Sequence, residues 1–403
     1  MTGDTTTIRA RLYRPAAASG YAAIERHTMS HITRRWLLKR SLAAGIATVS
    51  PTTWAASRPA IEEIPTREGA AMARVANAFM EKYDMPGLAV AISRKGHLVY
   101  AQGFGIADRH TGEKVTPTHL FRIASVSKPI TSVAIFSLLE QDRLRLADKV
   151  FGSGGILESD YPISSMRLVS EITIDHLLMH TIGGWPNGRG DPMFLNNTMN
   201  HRELIAWTLE NLPLADSPGG KFAYSNFGYC LLGRIIEKIT GEQYDDYVRR
   251  SVLAPCGIAG MRIGANLLAE RMHDEVVYYA GTGNPYRINV SRLDSTGGWL
   301  ASATDLAHFA AHVDGFSQNI LQRKTIAIMT TPSRVYPRYA RGWGVIEQYC
   351  WHDGGLPGTT SIIARTNSGL CLAALANSNQ RNSNPAMDRM ARNMLRLVKH
   401  GSA

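Results

Sequence analysis

The sequence predicts an α/β (α+β) fold. An antiparallel sheet is flanked by an N-terminal and a C-terminal helix, and a mainly helical domain is inserted between the two halves of the sheet. Three observations predict it. Residues 87–105, GLAVAISRKGHLVYAQGFG, hold two β-rich runs around Arg94-Lys95-Gly96 and read as a hairpin. A second hairpin pattern, GTTSIIARTNSGLCLAALANS at 358–378, turns at Asn367-Ser368-Gly369. Between them, from about 125 to 290, the pattern is mainly helical with loops. A sheet assembled from both ends of the chain, with a helical insert, satisfies all three.

The first 56 residues stand apart. Residues 1–28 read as a mis-called start or a disordered lead, and Met29 is a natural start for the segment after it. Residues 29–56 read as a signal peptide of the twin-arginine type. Arg34 and Arg35 precede Trp36-Leu37-Leu38-Lys39, a weakly apolar stretch runs from Ser41 to Val49, and Ala55 and Ala56 suit cleavage. The apolar run is well under the ~20 residues of a spanning helix, so no stable membrane span is expected after cleavage. A periplasmic or secreted location, with the twin-arginine export machinery as a partner, is the expectation; a basic amphipathic first helix is the alternative. This segment also accounts for much of the charge. The 403-residue chain carries a formal +11, yet residues 1–56 hold eight Arg or Lys against Asp4 and Glu25, six of those eleven charges. The rest shows no basic run and no aromatic-basic interleaving, which argues against a nucleic-acid partner.

Residues 62–400 form the folded domain, with a sheet part from about 62–120 and 295–400 and a helical part at about 121–294. Met72, Val75, Phe79 and Met80 recur at helical spacing within 66–83 and give the first helix. Met387, Met390, Met394, Leu397 and Val398 mark one face of the last. The four cysteines, Cys230, Cys256, Cys350 and Cys371, are widely spaced with no C-x-x-C, and mostly buried free thiols are expected.

Candidate chemistry begins at ASVSKPIT, residues 124–131. Ser125 precedes Lys128 by three residues, and a chain of this length carries about one such S-x-x-K by chance. Ile130, Val133, Ala134, Leu138 and Leu139 give the following segment an apolar helical face, and Pro129 is tolerated only in a first turn. Ser125 therefore sits at or beside a helix N-terminus, with Lys128 one turn on and on the same side. A serine hydroxyl needs a base to act as a nucleophile, and a desolvated lysine can be one. In KFAYSNFGY (221–229), Tyr224 and Asn226 are two apart and point to one side of an extended turn. Tyr224 is a candidate proton carrier. Asn226 is a candidate to hold a substrate amide, to orient the lysine, or simply to cap a helix. In WHDGGLPGTTS (351–361), His352 is a candidate donor to substrate. Gly354 and Gly355 let a ligand approach a strand edge, and the amide near Gly355 pairs with that of Ser125 as an oxyanion hole. One such donor is typically worth about 10²–10³ in rate. Trp185 and the loop 183–198 are candidates for a cleft wall or a plain surface loop. Two i, i+4 histidine pairs, His176/His180 and His308/His312, lack the glutamate of H-E-x-x-H and read as helix packing or capping.

Taken together, Ser125-Val126-Ser127-Lys128, Tyr224-Ser225-Asn226 and His352-Asp353-Gly354 come in an order and at spacings that resemble the serine β-lactamase and penicillin-binding-protein superfamily, in its class C branch. LFRIASVSKPIT, ITIDHLLMHTIGG, GGWLASATDLAHF and HDGGLPGTTS resemble the same pattern, and the likeness covers roughly residues 65–398. The resemblance implies a β-lactamase/transpeptidase-like fold, Ser125 as acyl-accepting nucleophile, Lys128 as its base partner, Tyr224 as proton shuttle and Asn226 as a substrate-binding residue. It implies no metal or organic cofactor, and a small-molecule or peptide substrate. One position departs: His352 stands where the K-T-G lysine is usual, and histidine near pKa 6.5 is mostly neutral at pH 7. Arg341, in YARGWG, is a candidate substitute cation. The expected function is an exported serine hydrolase acting on an ester or amide (esterase, peptidase or β-lactamase-like). The alternative is a penicillin-binding or sensing module that is acylated without turnover.

Overall fold

The computed structural model describes residues 66–398, apart from 164, 165, 282 and 348. The signal reading of residues 29–56 and the reading of 1–28 lie outside the described residues. Helix α1 (Thr66–Lys82) opens the fold. Strands β1 (Gly87–Arg94) and β2 (His97–Asp108) come next as the expected hairpin. Its two turn residues, Lys95 (φ 48°) and Gly96 (φ 89°), are both left-handed, the combination that matches the twist of a two-residue hairpin. Short strands β3 (Glu113–Lys114) and β4 (Phe121–Arg122) lead into the helical region.

That region contains α2 (Ser127–Glu140), α3 (Ile174–Leu178), α4 (Pro192–Leu195), α5 (His201–Asn211), α6 (Asn226–Thr240) and α7 (Tyr244–Val248). Strands β5 (Arg262–Ile263) and β6 (Tyr279–Ala280) and helix α8 (Asp294–Gly297) come after it. Helix α2 is apolar nearly all round and buried from Ser127 to Phe136, as such a sequence requires. The chain then returns through β7 (Trp299–Ala301), α9 (Ala303–Ala311), α10 (Arg323–Thr330), β8 (Gly344–Ile346), β9 (Tyr349–Leu356), β10 (Thr359–Thr366), β11 (Leu370–Ala376), β12 (Ser378–Asn379) and α11 (Ser383–Leu397).

The main sheet runs β3-β2-β1-β11-β10-β9-β8, with every pairing antiparallel. Both ends of the chain build it, as the sequence indicates. Central strands β1 and β11 are buried almost throughout, so both faces are covered. Leu88, Val90, Ile92, Leu372 and Ala374 pack with Met72, Phe79, Met387, Met390 and Met394 of the two terminal helices. The alternate residues Ala89, Ala91, Ile363, Ala373 and Leu375 join the core shared with the helical region. The sequence reading gives the covering of the sheet to the two terminal helices. The second face is in fact capped by α9, whose Ala307, Ala310 and Ala311 meet a strand surface that is itself alanine-rich. Ser93 Oγ ties the two by donating to the Ala307 carbonyl at 3.3 Å.

Candidate active site

The approach to Ser125 is pinned on both sides. Arg122 is buried and donates to the carbonyls of Pro285 (2.6 Å) and Ala265 (2.9 Å), with its guanidinium over the Tyr278 ring. The Ile123 amide donates to Trp299 O, and Ser361 Oγ donates to Ile123 O at 2.6 Å. Between these tethers and Ser125, Ala124 is held at φ 48°, a conformation that residues with a Cβ seldom adopt. A 3₁₀ turn, Ala124–Val126, then runs directly into α2, where Pro129 is the third residue. Ser125 stays half-exposed while Lys128, one turn on, has no exposed surface.

The Lys128 Nζ has three partners: Asn226 Oδ1 at 2.7 Å, the Thr296 carbonyl at 2.8 Å and Ser125 Oγ at 3.2 Å. Two of these are obligate acceptors, so they take two N–H groups in either charge state. The third direction faces Ser125. An ammonium would donate there, whereas a neutral amine aims its lone pair at the serine hydroxyl. Burial pushes the Lys128 pKa down to about 7, against the opposing charges of Asp191 and Asp353. The rings of Tyr224 and Tyr229 close round Nζ, with centroids at 4.9 and 5.6 Å.

Tyr224 and Asn226 both reach this amine, as their spacing suggests. The capping residue is Ser225, not Asn226: extended at φ −132°, its Oγ accepts from the Gly228 amide and donates to Trp185 O. Asn226 is thereby released as the first residue of α6. Its Oδ1 meets Lys128, and its Nδ2 donates to Asp191 Oδ2 at 2.7 Å. Both ends of the amide are engaged, and in this geometry Asn226 orients the lysine. The Tyr224 hydroxyl is buried with no hydrogen-bond partner among the described residues. Burial holds its pKa well above 10, partly offset by the neighbouring Ser125 hydroxyl, which forms no bond of normal geometry with it.

The third motif lies on β9. Strand β8 covers the outer edge of β9 only as far as Trp351, leaving the edge from His352 onward without a partner strand. His352 is paired with Ile363 and Gly354 with Ser361, which puts both on the face toward Ser125. A Cβ on Gly354 would stand 2.4 Å from Ile123 O and 3.0 Å from Ser125 N. The glycine admits the Ser125 turn itself, rather than the ligand expected from the sequence. Gly355 turns its Cβ position toward Asn379 and Asn384 on the α11 side, so only its backbone could serve a substrate.

His352 is buried and its ring nitrogens are both occupied. The Ser225 amide donates to His180 Nδ1, which leaves His180 Nε2 protonated and donating to Tyr339 Oη at 3.1 Å. Tyr339 Oη then donates to His352 Nε2 at 3.1 Å, and His352 Nδ1 donates to the Asp353 carbonyl at 2.7 Å. Every donor in this chain meets an acceptor, and both histidines are neutral. Burial, aided by the Lys128 charge, pushes the His352 pKa down to about 4. The donation to substrate expected of His352 is not what this arrangement offers. Arg341 is likewise committed elsewhere, to Asp175 at 2.6 and 3.2 Å. The arginine that does line the cavity is exposed Arg338. It shares about 270 Å³ of space with Phe222, Tyr224, Tyr336, Trp351 and His352.

With this geometry in view, known proteins give a consistent picture. The Beta-lactamase family matches residues 72–395. The chain belongs to the beta-lactamase family. It is 30% identical over 312 residues to penicillin-binding protein 4* of Bacillus subtilis, covering 71% of this chain and 66% of that protein. It is 26% identical over 311 residues to protein flp of Staphylococcus aureus, covering 74% of this chain but only 61% of flp. The chain thus spans about three-fifths of the length of that relative. A D-amino acid amidase from Ochrobactrum anthropi SV3 shares the fold at a TM-score of 0.69, with 21% identity, 83% of this chain and 100% of that one. The sheet and helical region of this beta-lactamase-family chain are what these comparisons cover.

Within this family member, sequence reasoning misses three contributors: His180, Tyr339 and Asp191. His180 stands in HLLMHTIGG, where its spacing from His176 reads as helix packing. Its left-handed φ of 56° and full burial are visible only in the fold. His176, its i−4 neighbour, does cap α3 through Thr173. His312 bonds the His308 carbonyl. All four cysteines are buried and free. Trp185 is buried and donates to Leu212 O, whereas Asp191, in the same loop, reaches Asn226. One outcome tests the seating of Ser125. Gly354→Ala is expected to cut the rate of Ser125 labelling by a fluorophosphonate at least tenfold. Gly355→Ala, whose Cβ meets flexible asparagine ends, is expected to label with less loss.

Proposed function

We propose that this beta-lactamase-family protein hydrolyses small esters or amides through an acyl-enzyme on Ser125. The observation that carries this reading is the Lys128 amine, whose two obligate acceptors leave its third direction for the serine hydroxyl. Neutral Lys128 takes the Oγ proton as Oγ bonds to the substrate carbonyl carbon. The carbonyl oxygen becomes an oxyanion beside the amides of Ser125 and Gly355. As the tetrahedral centre collapses, the Tyr224 hydroxyl protonates the leaving group and is reprotonated by the Lys128 ammonium. Its high pKa suits it to this donor role rather than to that of the first base. Water then attacks the acyl-serine, its proton returning to the same pair, and the acid product leaves with Ser125 restored.

The substrate preference is set by charge. With His352 neutral, the position that holds a lysine in K-T-G provides no fixed cation, so this reading favours esters and amides over β-lactams. Exposed Arg338 beside Phe222, Tyr336 and Trp351 supports an aromatic leaving-group side with an anionic end. Export by the twin-arginine route is part of the proposal, on the strength of Arg34 and Arg35. Replacing both by Lys is expected to leave the protein in the cytoplasmic fraction; unchanged export would refute that part.

Two measurements test the catalytic reading. Ser125→Ala is expected to abolish repeated release of p-nitrophenol from p-nitrophenyl butyrate while the protein keeps its Tm. In the unsubstituted enzyme, kcat/KM should fall as pH drops through about 7, because the ammonium of Lys128 has no lone pair to accept the serine proton. Release of one equivalent with no further turnover would instead mark an acylated sensor. For the substrate side, Arg338→Ala is expected to raise KM about tenfold for an aromatic amide bearing a carboxylate, and to leave p-nitrophenyl butyrate nearly unaffected. Equal effects on both would remove Arg338 from recognition.

A further inference from the structure

Asp191 lies in the loop between α3 and α4 and has no exposed surface. Its Oδ1 accepts from the Met193 amide at 3.0 Å, which caps the four-residue α4. That cap accounts for one oxygen only, and Asn or Ser would cap as well. None of the ion pairs among the described residues includes Asp191. A carboxylate buried without an ion-pair partner is costly, so its second oxygen calls for a reason. That oxygen, Oδ2, accepts Asn226 Nδ2 at 2.7 Å.

An asparagine amide has two chemically different ends. With acceptors at Asp191 Oδ2 and, at 3.4 Å, Asn187 Oδ1, the NH₂ end is drawn away from Lys128 and Oδ1 is left to accept from it. The flipped amide would set N–H against the Lys128 donors and a carbonyl against the carboxylate, two repulsive contacts. We propose that Asp191 is a positioning residue of the reactive centre: it locks Asn226 with Oδ1 on Lys128 and sets a negative charge behind the lysine. This rests on the proposed roles of Ser125 and Lys128.

The groups that face Lys128 come from several elements. Ser125 lies one turn before it, Tyr224 just before α6 and Tyr229 on its first turn, the Thr296 carbonyl on α8, His180 after α3, and His352 and Asp353 on β9. Asp191 and Asp353 are the anions among them, and both favour the ammonium. The Asp353 carboxylate is held by Asn384 on the α11 side of the sheet, whereas Asp191 is joined to the lysine by a single amide.

Two variants of the full chain test this. Asp191→Asn keeps the cap and an acceptor for Asn226 but removes the charge. Its acid limb in kcat/KM is expected to move to lower pH by about half a pH unit or more, because the protonated lysine loses a stabilising partner. Asp191→Ser keeps the cap but is too short to hold Asn226; its kcat is expected to fall about tenfold or more with KM little changed. Each profile is normalised to its own maximum, so a reduced folded fraction does not move the limb. Wild-type kcat and an unshifted limb in both variants would mean that Asp191 is a cap only, and would overturn the proposal. Ser125→Ala, run alongside, separates the two levels. Activity in that variant sinks the catalytic reading itself, whereas an inactive Ser125→Ala, with wild-type kcat and an unshifted limb in both Asp191 variants, sinks only the role of Asp191.

Discussion

The constraint on which the rest of the structure depends is the burial of one lysine amine against two carbonyl oxygens that can only accept. Water would solvate Lys128 as an ammonium with a pKa near 10.5, and the protein denies it that water. Helix α2 is buried along most of its length, the Tyr224 and Tyr229 rings flank Nζ, and the α8 backbone supplies one acceptor. What remains open is the direction of Ser125. A serine–lysine pair made this way needs no exceptional residue, only the removal of solvent from an ordinary one. Asp191 and Asp353 limit how far the proton affinity drops, so the amine is poised near neutrality rather than permanently discharged.

The architecture reflects the need to place groups from distant parts of the chain around that pair. Ser125 comes off β4, Asn226 opens α6, and Gly354 sits on β9, so the sheet must be built from both ends of the sequence for the last to arrive. The close approach of β9 to the Ser125 turn leaves no room for a side chain at Gly354. Strain at Ala124 and His180 is carried at the same place, held by tethers on Ile123 and on the Ser225 amide. His352 belongs to this scaffold: its neutral ring joins β9 to the loop after α3 through Tyr339, and its nitrogens have no capacity left over.

Much of this is legible in the sequence, and the pattern of what is not is physical. Both hairpins are readable because Lys95-Gly96 and Asn367-Ser368-Gly369 are local signals, and both terminal helices because methionines and aromatics repeat at 3.6 residues. Ser125 and Lys128 are readable because three residues along a helix guarantee proximity. Reading fails where a contact is long-range. Whether Asn226 or Ser225 caps α6 depends on the backbone angle of one residue. That His352 is satisfied depends on Tyr339 and, through it, on His180. That Arg341 is spent on Asp175 while Arg338 faces the cavity depends on packing between α3 and the segment before β8. Asp191 is missed because its contact with Asn226 is long-range, while its cap on α4 is local.

The central claim is that Lys128 loses its proton near neutral pH inside the folded protein. The most direct test is an NMR titration of its side chain in protein labelled at lysine with ¹³C and ¹⁵N, the signal assigned by its disappearance in Lys128→Arg. A single titration centred near pH 7 is expected for this lysine. A Lys128 signal that stays that of an ammonium up to pH 9 would contradict it.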